Sequence, residues 1–412
     1  MDYNSKEYIK ILNSYKMGVV PFIHINPLET GRDKEINELN KCLTNTSKGV
    51  SEVKVISGSY GSGKTFLLNM LKKEALNKDF IVSYIHIKKG FNLNNLNDFY
   101  YNLMHNLFVK SREGLNTSFD DLFNLWINNL QNSPFKGSAS KEISYVVGEL
   151  ERYNSAFARA FLTYIRAKIQ KKTKISNTIM EWITGEKNIP YELKQEINLV
   201  GQINNLNSLD FLKAFIKLID LMGYKGLVIL IDEFDLLINE NITIRNASYQ
   251  NLRLLIDLIS SSEIEKTFLA LTTTNTLLYD EEKGFKSYPA LSQRLGINTG
   301  TDNFTSYRST IMKLTPLSFL DFKLLAEKIA EVYSRVYPLE MKTSAESLKN
   351  WVLLTYQKEG YDINNLSIRL FVIKYIEILD VVSENPNNQL YKKNLAISKS
   401  NGKYIFKNTL IS

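Results

Sequence analysis

Residues Gly58-Ser59-Tyr60-Gly61-Ser62-Gly63-Lys64-Thr65 match the phosphate-binding pattern G-x-x-x-x-G-K-[ST] at every fixed position. Each residue type there has a task. The glycines let the backbone curl until successive N–H groups face phosphate oxygens, and a helix that starts at the end of the loop adds positive potential from its N-terminus. Lys64 is then the cation for the β- and γ-phosphates, and Thr65 supplies a hydroxyl to Mg²⁺. A second chemical group closes the apolar run Leu227-Val228-Ile229-Leu230-Ile231 with Asp232 and Glu233. A buried parallel strand has that pattern, and it delivers its last residues to the edge of the sheet where ligands bind in α/β folds. At that edge Asp232 serves the Mg²⁺ shell, and Glu233 orients and polarises the attacking water. Alone, such a run is as readily a strand end with solvated acids; beside a phosphate loop it specifies nucleoside triphosphate chemistry, with ATP and Mg²⁺ as the expected cofactors.

These side chains need particular elements to hold them. Val53, Val55 and Ile56 predict a short strand before the loop, while Phe66, Leu67, Met70 and Leu71 predict an amphipathic helix after it. Residues 80–87 alternate as a second core strand, in which His86 is a strand residue, and residues 91–110 carry apolar side chains at helical steps. From there to about Asn207 the periods stay helical, an unusually long connection between core strands that contains Trp126, Trp182 and the basic run Arg159, Arg166, Lys168, Lys171, Lys172, Lys174. Those charges do not all share one helix face, so they read either as solvated surface or as a phosphate track. A third strand, Thr267 to Asn275, follows the Asp-Glu strand with one helix between, Tyr249 to Ile259. It leaves the sheet through small polar residues that suit either a γ-phosphate contact or a plain turn. Beyond Thr315-Pro316-Leu317 two apolar stripes, 319–336 and 368–382, predict a helical domain. The tail places Asn401-Gly402 between two extended pieces, which predicts a hairpin carrying Lys392, Lys393, Lys399, Lys403 and Lys407.

Composition narrows the chemistry further. With 412 residues, 44% hydrophobic and 23% charged, the chain is long enough for two or three domains and unlike a disordered sequence. One cysteine forms no internal disulfide, and three histidines far apart have no metal-ligand spacing, which excludes zinc and Cys/His catalysis. No apolar run approaches the ~18 residues of a membrane span, and the N-terminus lacks the apolar core of a secretory signal, so a soluble cytoplasmic protein without a membrane partner is expected. The net charge of +8 favours polyanions, DNA among them, or simply reflects a lysine-rich surface.

Further positions match the AAA+ plan. Asn275, or Thr274 beside it, stands where such enzymes place sensor 1. Arg294, in Leu291-Ser292-Gln293-Arg294-Leu295, resembles the arginine finger offered to a neighbouring subunit's nucleotide, or is a surface arginine on a short helix. Gly31 and Arg32 resemble the origin-recognition segment that lies against adenine, with Asp33 where Glu is usual; a helix capped by Thr30 is the alternative. Arg369, after Asn364-Asn365-Leu366-Ser367, resembles sensor 2 of a lid, or is a solvated helix-end arginine. Taken with Met17-Gly18-Val19-Val20-Pro21, the phosphate loop and Gly226 to Glu233, these features resemble the BREX-type ATP-binding protein family, bacterial P-loop ATPases of antiphage defence islands. The likeness runs from about Tyr8 to Asp380, and Tyr60 and the Leu366-Ser367-Ile368-Arg369-Leu370 segment are its more family-specific parts. Thr65-Phe66 departs from the Ser-His of many relatives while keeping the magnesium hydroxyl.

The resemblance implies an AAA+-like α/β P-loop core with a parallel sheet, divided as residues 1–110 (N-terminal segment and first core part), 111–207 (helical insertion), 208–314 (second core part), 315–385 (helical lid) and 386–412 (basic tail). It implies an ATPase acting as motor, loader or switch for a DNA-directed defence complex, a homo-oligomer, and a helicase or other protein of the same cassette, as in Shango-type loci. The alternative is a module that uses ATP as a slow gate on a partner effector.

Overall fold

The structure, a computed structural model, describes residues 4–21, 28–88, 93–112, 114–132, 139–197, 199, 201–297, 306–337, 367–384, 396–400 and 403–407. Asn26-Pro27, Asn364-Asn365-Leu366, Lys392, Lys393 and Asn401-Gly402 lie outside them. The chain divides into two compact units: Met1–Ile36, Gly58–Met70 and Lys313–Ser412 form one, and Asn37–Ser57 with Leu71–Met312 the other. No helix among the described residues is long and apolar enough to cross a membrane.

The larger unit is built on a sheet. Helix α1 (Ser5–Lys16) precedes it in the chain, and α2 (Asp33–Ser47) leads into strand β1 (Glu52–Ser57). Helix α3 (Lys64–Asn77), β2 (Ile81–His86), α4 (Leu96–His105) and β3 (Leu107–Phe108) follow. After the connection described below come β4 (Leu227–Asp232), α11 (Ile242–Ser260), β5 (Thr267–Thr273), the short helices α12 (Asn275–Tyr279) and α13 (Pro289–Leu295), and β6 (Ile311–Lys313). The strand order is β3-β2-β4-β5-β1-β6, with β2, β4, β5 and β1 mutually parallel. The strand after the Asp-Glu pair therefore lies between that pair's strand and the one feeding the phosphate loop. Every residue of β4 and β5 is buried, as continuous apolar runs require when helices cover both faces.

Two short strands differ from the sequence reading. The helix expected over 91–110 ends at His105, and Leu107 and Phe108 pair antiparallel with Ser83 and Val82. Asn106 breaks the helix with an extended φ of −126°, and the resulting strand covers the edge of β2. Strand β6 has three residues, too few for any periodicity.

The connection between β2 and β4 is helical: α5 (Phe119–Asn132), α6 (Ala139–Tyr153), α7 (Ser155–Ile169), α8 (Thr173–Ile183), α9 (Tyr191–Glu196) and α10 (Ser208–Leu221). Phe119, Phe123, Trp126, Phe161 and Tyr164 form ring contacts at 4.9–6.2 Å, edge-on except for the tilted Trp126–Phe161 pair. They belong to the same apolar cluster as Ile81, Ile85 and Ile229 of the sheet. At roughly 1.5–3 kcal/mol per buried large apolar side chain, this shared core ties the connection to the strands.

In the smaller unit α1 packs with α14 (Phe319–Ser334) and α15 (Ile368–Glu384) through Ile11, Leu12, Phe322, Ile329, Phe371 and Tyr375. Capping boxes at Asn4/Glu7 and Ser318/Asp321 start two of these helices. The N-terminal helix thus shares a core with the C-terminal helices. In the tail, β7 (Ala396–Ser400) pairs antiparallel with β8 (Lys403–Lys407).

One buried cation fastens β1. Lys54, 2% exposed, reaches the carbonyl oxygens of Tyr307, Arg308 and Ser309 at 2.9–3.0 Å and Glu38 at 3.4 Å. Lys54→Met is expected to lower unfolding free energy by about 1–3 kcal/mol, because it removes the buried donor that three part-buried carbonyls and the Glu38 carboxylate share. A urea midpoint equal to the parent's would show that this cluster contributes nothing.

Candidate functional site: a phosphate loop and a carboxylate edge

The loop leaves Ser57 at the end of β1 and opens α3. Gly61 (φ +76°) and Gly63 (φ +96°) take left-handed conformations that only glycine adopts without strain, the backbone form in which successive amides can face one anion. The first backbone bond of α3 runs from Leu67 N to the Gly63 carbonyl (2.9 Å), so the amides of Thr65 and Phe66 stand ahead of it at the helix N-terminus. Lys64 Nζ folds back onto the loop carbonyls of Gly58 (2.9 Å) and Ser59 (3.0 Å). The Ser62 hydroxyl is buried and has no hydrogen-bond partner among the described residues. A curled backbone, a helix N-terminus, an ammonium within the loop and an orphaned hydroxyl suit a chain of phosphates.

Arg32 holds this loop from behind. Its guanidinium, 4% exposed, donates to the Ser62 carbonyl (3.0 Å), the Thr315 carbonyl (2.8 Å) and Glu35 (3.0 Å). The sequence reading placed Gly31 and Arg32 against adenine; the structure gives the Arg32 guanidinium these three acceptors in its own chain. Gly31 has no room for a side chain, since an added Cβ would stand 2.7 Å from Asp321 Cγ. Arg369, at the start of α15, donates to the Tyr60 hydroxyl (3.1 Å), and its guanidinium lies 5.2 Å from the centre of that exposed ring. Its backbone N–H approaches the Gly61 carbonyl at 3.4 Å. The sensor 2 candidate thus sits against the phosphate loop.

On the sheet of the larger unit, Asp232 closes β4 and is 2% exposed. Its Oδ1 accepts from Thr272 Oγ1 (2.5 Å) and Glu233 N (3.0 Å), and its Oδ2 accepts from Tyr84 Oη (3.0 Å). The Glu233 N–H also reaches Thr272 Oγ1 (3.1 Å). Glu233 itself is exposed, in a left-handed conformation (φ +59°) at the strand end. A non-glycine residue there stores about 1–3 kcal/mol of strain, held by the two backbone bonds. Burial first, then the Asp232 charge, pushes the Tyr84 phenol well above its ordinary range, so it is a lasting donor.

Asn275, the sensor 1 candidate, bonds Ser57 Oγ at 3.1 Å across the β1–β5 pair, while Thr274 caps α12 through Leu277 N. The group that touches Asp232 is Thr272, which the sequence reading passed over in favour of the residues that end the run. Tyr84 was missed as well. Its signal is parity: β2 pairs with β4 with His86 opposite Asp232, so a tyrosine two residues back falls on the same face. Arg294 ends α13 with Nε 2.7 Å from Asp257 of α11, which gives it a partner in its own chain. Cys42 is buried and its thiol is pushed up to about 12, chiefly by burial, which removes it as a nucleophile.

A phosphate loop that opens a helix from one parallel strand, with an intervening strand before the one that ends in Asp-Glu, defines an α/β P-loop nucleotide-binding protein. The chain belongs to the family of BREX system ATP-binding proteins BrxC/D, whose model matches residues 4–396. A similar solved structure is domain III of the Thermotoga maritima replication initiation protein DnaA, at 12% identity and a TM-score of 0.32, covering 88% of this chain and 98% of that one. No curated protein sequence matches the chain.

Proposed function

We propose that this protein is a Mg²⁺-dependent ATPase that drives or switches a DNA-directed antiphage defence complex in the cytoplasm. The observation that carries this reading is the phosphate loop, where left-handed glycines, an orphaned Ser62 hydroxyl and a retracted Lys64 stand ready for an anion. Residues 58–65 hold the phosphates: Lys64 exchanges loop carbonyls for phosphate oxygens, and Arg32 braces the loop at Ser62. Thr65 and Asp232 hold Mg²⁺, which when bound neutralises phosphate charge. Glu233 polarises water, Asn275 orients it as sensor 1, and Arg369 leaves Tyr60 for the γ-phosphate as the lid helix moves. Arg294 exchanges Asp257 for a neighbouring subunit's nucleotide in a homo-oligomer.

DNA enters through charge. Arg159 and Arg166 lie two turns apart on α7, Lys171, Lys172 and Lys174 follow at the α7–α8 turn, and all five are exposed. Lys168 is instead paired with Asp120 at 2.7 Å. Such a cluster binds phosphates by counterion release without reading bases. A helicase or other protein of the same cassette is the expected partner.

ATP turnover measured with and without Mg²⁺ and DNA of unrelated sequences tests the reading. Turnover that requires Mg²⁺, and rises with any DNA at low salt but less at high salt, is expected. Absence of turnover under all these conditions contradicts the ATPase, and tight retention of ATP without turnover identifies a gate.

A further inference from the structure

We infer that Tyr84 is a positioning residue for the metal carboxylate, its phenol fixing Asp232 in the orientation in which that carboxylate serves Mg²⁺. This rests on the metal role proposed for Asp232. The parallel β2–β4 register places Tyr84 diagonally from Asp232 on one face of the sheet, and the hydroxyl meets Oδ2 at 3.0 Å with both residues buried. Thr272 and the Glu233 amide take Oδ1. The carboxylate plane is thus set by donors on both oxygens, and rotation about its last bond breaks at least one hydrogen bond. With Asp232 only 2% exposed, each such break leaves a buried lone pair uncompensated.

The ring is placed independently of that bond. Lys72 Nζ lies 5.4 Å from its centroid, and the His86 imidazole packs 4.8 Å away. Removing only the hydroxyl leaves the ring where it is and takes away the donor. Asp232 is then held at Oδ1 alone, which weakens metal binding and leaves the phosphate loop unaltered. Partners that orient a metal ligand typically contribute 10- to 100-fold in affinity.

The test uses Tyr84→Phe in the full chain, with Mn²⁺ binding in the presence of ADP followed through the free-ion electron paramagnetic resonance signal. The Mn²⁺ dissociation constant is expected to rise roughly 10-fold. The Mg²⁺ concentration for half-maximal turnover should rise in parallel, with turnover largely recovered at saturating Mg²⁺ and metal-free ADP affinity unchanged. Mn²⁺ affinity equal to the parent's overturns the inference. A parallel fall in metal-free ADP affinity or in the urea midpoint also overturns it, because it marks a general structural role. If the parent binds Mn²⁺ with ADP but never hydrolyses ATP, the ATPase reading fails while the Mn²⁺ shift still decides the role of Tyr84.

Discussion

Glu233→Gln is expected to bind ATP about as tightly as the parent and to hydrolyse it roughly 10²- to 10⁴-fold more slowly, the usual range for a positioned general base. The structure explains why so small a change isolates so large an effect. Residue 233 is held by its backbone, with the amide bonded to Asp232 and Thr272, while its side chain is exposed. Glutamine keeps that backbone and the side-chain volume and removes only the carboxylate proposed to polarise water. Because the interaction is made on the way to the transition state, the loss should appear in kcat with KM little changed. Steady-state turnover against ATP concentration measures the split, and a parental kcat would remove Glu233 from the mechanism.

Lys64→Ala is expected to act on the other half of the cycle. The ammonium now bridges the Gly58 and Ser59 carbonyls, so it both ties the loop together and waits at the place where phosphate charge must be met. Truncating one partner of a desolvated charge pair costs about 2–5 kcal/mol, which corresponds to a roughly 30- to 5000-fold loss of ATP affinity. Isothermal titration with ATP and Mg²⁺ reads this directly. Binding within a few-fold of the parent would mean that the loop amides alone hold the nucleotide. The two variants differ in kind: one keeps ATP without using it, and the other does not keep it.

How far the sequence carries depends on how local each signal is. The strand that ends in the Asp-Glu pair is a continuous apolar run, the strand before the loop shows apolar Val53, Val55 and Ile56, and both form where those residues predict. The phosphate loop is legible because its residues act within one turn of chain. Strands β3 and β6 are too short to show a period, and their existence depends on an edge of the sheet that needs covering. The partners of Asp232 were hidden for a related reason. Tyr84 is 148 residues away and Thr272 is 40, and only the strand order brings them to one carboxylate. Arg32 is a similar case: its bond to the Ser62 carbonyl, 30 residues away, leaves no mark in the local sequence. Likewise Arg294 has no partner nearby in sequence, whereas the fold gives it Asp257.

The central claim is that the loop binds ATP and Glu233 spends it. The most direct measurement incubates the parent and Glu233→Gln with Mg²⁺ and ATP, separates bound from free nucleotide, and identifies what each protein holds. The account predicts ADP with released phosphate for the parent, and intact ATP at close to one per chain for the variant. Nucleotide absent from both proteins, or ADP formed by the variant at the parental rate, would contradict it.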